Sequence, residues 1–268
     1  EHGRVFHDGF YGRVAFSPDS KKLVFVADDG KDPRTKEEME NDVEIVRPDQ
    51  GEGYTGYGPA QIWIADLEKE PSQFAAKKIT RITNDNVWYG DPNWSPDGKT
   101  LVVHANKTKD RESVRFSINK DFDLYWIDIS NKKQTQLTNN PGPDVSPRWS
   151  SDGKQIAYLS SPRKGPHRDI FSLHILTLDS SSPKTRKVFE PGLEGKNLPP
   201  SFPLPTNCWN ENTVEILIES GTWSINRWVD VNTGKEGERD SSLVSEFFNR
   251  AQMQPVSNSF LDQRFLGK

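Results

Sequence analysis

Short apolar runs alternate with turn motifs along much of the chain. Three stretches share the order of an aromatic residue, a Ser-Pro-Asp-Gly-like turn and a returning apolar strand: GRVAFSPDSKKLVFVAD (12–28), GDPNWSPDGKTLVVHAN (90–106) and VSPRWSSDGKQIAYLSS (145–161). In the second stretch, Pro96 presets the backbone for a turn, Asp97 can bond back to nearby amides, and Gly98 accepts a left-handed conformation. The repeat therefore predicts a series of β-hairpins.

A third strand follows each hairpin, and a fourth strand follows the first two. The third strands are QIWIADL (61–67), DLYWIDI (123–129) and DIFSLHILTL (169–178), and the fourth strands are KKITRIT (77–83) and KQTQLT (133–138). Sheets that expose two apolar faces bury them by stacking around an axis. The pattern therefore predicts an all-β chain, a β-propeller built from four-stranded blades, and a β-sandwich is the alternative.

Four aromatic anchors, Phe16, Trp94, Trp149 and Trp209, mark the blades. Their spacing exceeds the roughly 40–50 residues of a plain blade, so the surplus lies in loops. We expect blades over residues 11–83, 87–138, 144–190 and 204–250, and the start of a further blade over 255–268. Such an incomplete ring leaves an open strand edge, which predicts an oligomer or pairing with missing parts of a longer protein.

An insert interrupts the first predicted blade at residues 28–60. Over residues 28–52 it carries ten acidic and four basic residues. Thr35 and Glu38 have the spacing of a capping box, which predicts a short helix ending near residue 41 or 42. Three roles are open to this insert: a solvated acidic loop, a contact with another domain or chain, and substrate binding.

Composition excludes several functional classes. The 268 residues contain no apolar run of about 18, so no membrane-spanning helix is expected. A net charge of −4 argues against the basic surface of a nucleic-acid-binding protein. Cys208 is the single cysteine, which excludes an internal disulfide and a multi-cysteine metal site. We expect no metal and no cofactor.

No catalytic residue is expected in the chain. The G-x-S-x-G nucleophile elbow is absent from the sequence, and the nearest match, GTWSI (221–225), has the wrong spacing in a strand-like context. None of the five histidines has a recognisable triad setting, and His104 and His174 lie within strand patterns. A propeller enzyme with its own site, such as a glycosidase, would need convergent carboxylates on several blades, and the repeats show no acid at an equivalent inward position.

The repeats resemble those of TolB-type periplasmic propellers and of the propeller in the prolyl-oligopeptidase family. A more specific likeness lies in ADDGKDPRTKEEMENDVEIVRPDQGEGYTGYGPAQIW (27–63), VWYGDPNWSPDGK (87–99) and ESVRFSINKDFDLYWIDI (112–129). These stretches resemble the front half of bacterial acylaminoacyl-peptidase and dipeptidyl-aminopeptidase-like members of that family, best over residues 1–190. In that family, the propeller caps an α/β-hydrolase domain that carries a Ser-Asp-His triad.

The resemblance implies that the chain is the non-catalytic propeller portion of a serine peptidase, which gates and helps to bind short peptides. Its partner would be an α/β-hydrolase domain missing from this chain. The alternative is a free-standing TolB-like propeller that binds a protein partner. The compartment stays open, with a periplasmic or secreted location favoured over the cytoplasm.

Candidate substrate-binding residues lie in the insert at 28–60 and in a second insert at 107–123. In dipeptidyl peptidases, paired glutamates on a helical propeller insert bind the free amino terminus of the substrate, which by analogy makes Glu37 and Glu38 the candidate amine ligands. Their side chains diverge by about 100° around a helix, and Glu37 is the better ligand if Glu38 closes the capping box. Tyr54 and Tyr57 offer rings with polar tips. Arg115 could clamp a substrate carbonyl or carboxylate, with a surface ion pair as its alternative role.

Overall fold

The computed structural model describes residues 5, 12–28, 30, 34–43, 45, 59–67, 78–107, 121–162, 171–178, 183–190, 204–220 and 223–237. Within these residues, the chain forms four antiparallel sheets of four strands each, and neighbouring strands follow one another along the chain. The predicted all-β fold of four-stranded blades is therefore confirmed. The one helix of the described part is too short to cross a membrane.

Each sheet is one blade, numbered in chain order. Blade 1 contains β1 (Ala15–Phe16), β2 (Lys22–Ala27), β3 (Gln61–Asp66) and β4 (Lys78–Arg81), with the helix α1 (Lys36–Glu40) between β2 and β3. Blade 2 contains β5 (Trp88–Trp94), β6 (Thr100–Asn106), β7 (Asp123–Asp128) and β8 (Gln134–Gln136). Blade 3 contains β9 (Asp144–Trp149), β10 (Gln155–Ser160), β11 (Ser172–Thr177) and β12 (Lys184–Phe189). Blade 4 contains β13 (Trp209–Asn210), β14 (Thr213–Ser220), β15 (Trp223–Asp230) and β16 (Glu236–Gly237).

Blades 3 and 4 also have fourth strands, β12 and β16, which the sequence pattern did not indicate. Most side chains of β12 are exposed, so this strand lacks an alternation of apolar and polar residues. β16 is only two residues long. The predicted end of the fourth blade at residue 250 and the predicted hairpin at 255–268 lie outside the described residues, and those boundaries stay predictions.

The hairpin turns have the predicted chemistry. Asp97 accepts hydrogen bonds from the Ser95 hydroxyl at 2.6 Å and from the Lys99 amide at 3.0 Å, and Gly98 is left-handed with φ +69°. The same side-chain bonds recur at Asp19 and Asp152. The same pair of side-chain bonds thus closes β1 onto β2, β5 onto β6 and β9 onto β10.

Gly98→Ala is expected to lower the free energy of unfolding by about 1–2 kcal/mol, because a Cβ atom strains a left-handed backbone. Crowding is not the cause, since the nearest atom to that Cβ would be Pro18 Cδ at an ordinary 3.6 Å. Gly237→Ala is the matched control, because no atom lies within 4 Å of its Cβ position and its backbone is not left-handed. Urea denaturation of both variants measures the difference, and equal effects would contradict the strain account.

Tryptophan anchors join blade 2 to blade 1 and blade 4 to blade 3. Trp94 Nε1 donates to the Ala15 carbonyl of blade 1 at 3.1 Å, and Trp209 Nε1 donates to the Arg148 carbonyl of blade 3 at 3.0 Å. The main apolar core runs through all four blades. The first strands of successive blades, which are β1, β5, β9 and β13, are therefore held side by side. We call them the inner strands.

Candidate functional site

The insert helix α1 has the predicted capping box. Thr35 Oγ1 accepts from the Glu38 amide at 3.2 Å, and Glu38 Oε2 accepts from the Thr35 amide at 2.6 Å. At the other end, the Val43 amide bonds to the Glu38 carbonyl at 2.9 Å, and Asp42 is left-handed with φ +51°. These are the bonds of a Schellman motif, so the helix ends where the sequence predicted.

The capping box separates the two predicted amine ligands. Glu38 is 4% exposed and commits a carboxylate oxygen to the start of the helix, whereas Glu37 is exposed to solvent. The structure thus places only Glu37 where a substrate could reach it without disturbing the helix. Three other predicted ligands, Tyr54, Tyr57 and Arg115, lie outside the described residues.

A polar cluster on or just before the first strand of each blade was not predicted from the sequence. Four of its members stand three residues before the aromatic anchor of each blade: Arg13, Asp91, Ser146 and Thr206. With Arg148 they form one connected set, which we call the axial cluster. Only one of the four equivalent positions carries a carboxylate, so the arrangement does not provide the repeated acids of a glycosidase-like site.

Two β-bulges turn the middle members of the axial cluster inward. On β5, Asp91 and Pro92 together face the single residue Val103, and on β9, Ser146 and Pro147 together face Tyr158. Asp91 and Ser146 are left-handed, with φ +46° and +58°. A bulge re-aims the side chain of the extra residue, and both bulges occur at the same place in the repeat.

Asp91 and Arg148 form the buried centre of the axial cluster. Asp91 is 0% exposed, and its Oδ2 accepts from Arg148 Nη2 at 2.8 Å and from Ser146 Oγ at 3.0 Å. The Arg148 guanidinium also donates to three backbone carbonyls, those of Pro147, Leu204 and Pro205. Blades 2, 3 and 4 are therefore tied together by one ion pair and its hydrogen bonds.

Arg13 and Thr206 are the members of the axial cluster that solvent can reach. Arg13 Nη1 donates to Thr206 Oγ1 at 2.9 Å, and Arg13 Nε lies 3.8 Å from Asp91 Oδ1, which is an ion pair but not a hydrogen bond. The Arg13 side chain is 26% exposed. Burial lowers the pKa of Arg13, and the neighbouring Arg148 cation lowers it further.

Two carboxyl groups with raised pKa lie at the edge of the propeller that carries the insert. Asp123 begins β7 and Asp144 begins β9, and β3, β7 and β9 start at this edge because the antiparallel strands reverse direction in turn. Burial raises the pKa of Asp123 to about 7 and that of Asp144 to about 6, and Asp144 further raises the pKa of Asp123 by repulsion. Asn140 donates to Asp144.

This carboxyl pair predicts that stability falls as pH rises. The folded protein holds protons that the unfolded chain, with pKa values near 3.8, releases. The contribution of the pair is complete below pH 3.8 and is lost as pH rises through about 6 and about 7. Asp144→Asn cannot ionise at this position and keeps the acceptor for Asn140. Its unfolding free energy should therefore fall less than that of the wild type between about pH 5 and 8, a window that extends about one pKa unit below and above the two values. Identical pH profiles for the variant and wild type would contradict this.

Comparison with known proteins shows relatives among peptidases. No protein-family model matches the chain. It is 24% identical over 250 residues to the acylamino-acid-releasing enzyme of Mus musculus, an alignment that covers 82% of this chain and 33% of that enzyme. It is 25% identical over 184 residues to dipeptidyl-peptidase 5 of Porphyromonas gingivalis, covering 61% of this chain and 25% of that enzyme. The chain thus spans about a third or less of the length of these relatives.

Comparison with solved structures supports the propeller fold. TolB from Acinetobacter baumannii superposes with a TM-score of 0.50 at 18% identity, over 85% of this chain and 43% of TolB. The predicted resemblance to acylaminoacyl-peptidases, dipeptidyl-peptidase-like enzymes and TolB-type repeats is confirmed by these relatives.

Proposed function

We propose that this relative of acylamino-acid-releasing enzymes and dipeptidyl-peptidase 5 is the non-catalytic propeller portion of a serine peptidase of the prolyl-oligopeptidase family. In that enzyme the propeller limits access to short peptides and contacts them, while an α/β-hydrolase domain performs the chemistry. The observation that carries the proposal is the alignment itself, which covers most of this chain but only 33% of the mouse enzyme.

The described residues support a gating and binding role in two ways. The axial cluster ties the inner strands of the blades by hydrogen bonds and ion pairs, so a folded protein could not pass among them without breaking buried contacts. Glu37 stands exposed on an ordered helix at the edge that carries the insert. Linked blades and an accessible acid are what selection of short peptides with a free amino terminus requires.

The test compares the complete gene product with a shortened product that lacks residues 1–268. We expect the complete product to hydrolyse a short aminoacyl or peptidyl p-nitroanilide and to spare casein. A fluorophosphonate probe first shows that the shortened product keeps a reactive serine. A shortened product that the probe labels should cleave casein as well. Equal selectivity of the two labelled products would contradict the gating role, and the 268-residue chain alone should show no serine-dependent turnover.

A free-standing interaction propeller is the second candidate, favoured by the superposition on TolB over 85% of this chain. In this case the chain would hold a protein partner and act without a hydrolase domain. The two candidates differ in what the gene encodes after Lys268.

The exposed face of β1 supports self-association of the isolated chain. Phe16 is 64% and Val14 54% exposed, whereas Trp94, the anchor of the next blade, is 6% exposed. Phe16→Ser is expected to lower the weight-average mass in sedimentation, because it removes the apolar surface that a second copy would cover. Ile79→Ser on β4, where Ile79 is 44% exposed, is the control. A wild-type chain that stays monomeric at all concentrations would rule out this contact.

A further inference from the structure

We propose that Arg13 in the axial cluster binds the C-terminal carboxylate of a peptide. This inference rests on the proposed function and adds to it the class of substrate, a short peptide with a free carboxyl end. The sequence pointed to Glu37 and Glu38 as ligands for the amino end and to Arg115 as a ligand for a carbonyl or carboxylate, and it did not point to Arg13. The axial cluster lies on β5, on β9 and in the segments just before β1 and β13, at residues that the insert does not include.

The hydrogen bonds of the axial cluster leave one guanidinium with spare donors. Arg148 is 1% exposed and donates to Asp91 and to three backbone carbonyls. Arg13 has the same five N–H donors, yet among the described residues it makes one hydrogen bond, to Thr206. Because Arg13 is 26% exposed while Arg148 is buried, the spare donors belong to the residue that solvent can reach.

The charge of the axial cluster favours an anion. It holds two guanidiniums and one carboxylate, and Asp91 Oδ2 accepts from Arg148 and Ser146 while its Oδ1 makes no hydrogen bond among the described residues. Arg13 Nε is 3.8 Å from Asp91, too far for a hydrogen bond, so Asp91 does not saturate it. The lowered pKa of Arg13, caused by burial and then by Arg148, agrees with a cation that lacks full compensation.

A carboxylate matches this geometry better than a neutral group. A planar guanidinium binds both oxygens of a carboxylate through parallel N–H groups. Thr206 Oγ1 accepts from Arg13, so its own hydroxyl proton is available to the incoming oxygen. By contrast, the Ser146 hydroxyl donates to Asp91 and accepts from the Leu204 amide at 2.7 Å, so it is already occupied. Arg13 and Thr206 together therefore form the site.

The test uses calorimetric titration of the 268-residue chain at low salt and pH 7 with acetyl-Ala-Ala as the free acid and as the C-terminal amide. We expect the acid to bind roughly ten- to hundredfold more tightly than the amide. Arg13→Met should remove that preference, Arg13→Lys should keep part of it, and Thr206→Val should weaken it. Arg186→Met, at an exposed residue of β12, is the control and should bind as the wild type does.

Thermal unfolding of each variant shows whether the fold is kept. If Arg13→Met does not fold, the binding of acid and amide by Arg13→Lys and Thr206→Val shows whether the preference for the acid depends on Arg13 and Thr206. Equal binding of acid and amide, or unchanged preference in these variants, would overturn the inference. Competition by inorganic phosphate as strong as by the free acid would identify a general anion site and also overturn it. If the gene encodes no hydrolase but the acid still binds through Arg13, the proposed function fails while this site stands.

Discussion

Arg148→Met is expected to lower the free energy of unfolding by about 3–5 kcal/mol. The substitution leaves Asp91, which is 0% exposed, without the cation that donates to it at 2.8 Å. It also removes the donors to the Pro147 carbonyl within blade 3 and to the Leu204 and Pro205 carbonyls of the segment before β13. A buried charge without a partner costs far more than the net value of the pair, because desolvation is no longer compensated.

Urea denaturation measures this loss, with Arg186→Met on the exposed strand β12 as the matched control. The control should stay within about 0.5 kcal/mol of wild type. The double variant Arg148→Met with Asp91→Asn should recover part of the loss, since it removes both charges of the buried pair and asparagine tolerates the left-handed backbone at this position. A loss below about 1 kcal/mol for Arg148→Met alone would show that the ion pair does not hold the blades together.

In the proposed serine peptidase, Glu37→Ala is expected to lower kcat/KM roughly ten- to hundredfold for peptides with a free amino terminus. Glu37 is exposed in this chain, and in the proposed enzyme a hydrolase domain would enclose it, so that its carboxylate binds the substrate ammonium through a charge-assisted hydrogen bond that the substitution removes. An N-acylated peptide carries no such charge, so its turnover should stay unchanged or rise. Parallel kinetics on a free and an acetylated peptide measure the contrast.

Glu38→Ala serves as the structural comparison for Glu37→Ala. Because Glu38 closes the capping box, its loss should destabilise the helix by about 1 kcal/mol and affect both peptide classes alike. If the insert is only a solvated loop, Glu37→Ala will change neither class. If the insert docks the hydrolase domain, both classes will suffer together with stability. Only a selective loss with free-amine peptides keeps Glu37 as a ligand.

Local rules were enough to predict the hairpins and the insert helix. The turn at Asp97 and Gly98 and the capping box of Thr35 and Glu38 depend on residues two or three positions apart, so the sequence contains all of their chemistry. The strand β12 was missed because its exposed side chains show no apolar alternation.

The axial cluster depends on contacts that local patterns do not reveal. Aligning the repeats does place Arg13, Asp91, Ser146 and Thr206 in register. However, nothing in the sequence indicates that Asp91 and Ser146 are left-handed, since a residue before proline is expected to be extended. The bond from Arg13 to Thr206 joins residues 193 positions apart, which only the stacking of blades brings together.

The most direct test of the proposed function is to determine the coding sequence that follows the codon for Lys268 in the source genome or transcript. The proposal predicts further propeller repeats, followed by an α/β-hydrolase domain with a G-x-S-x-G elbow and, later in the chain, the Asp and His of the triad. A stop codon soon after Lys268, with no such domain in the same reading frame, would contradict the assignment to a serine peptidase.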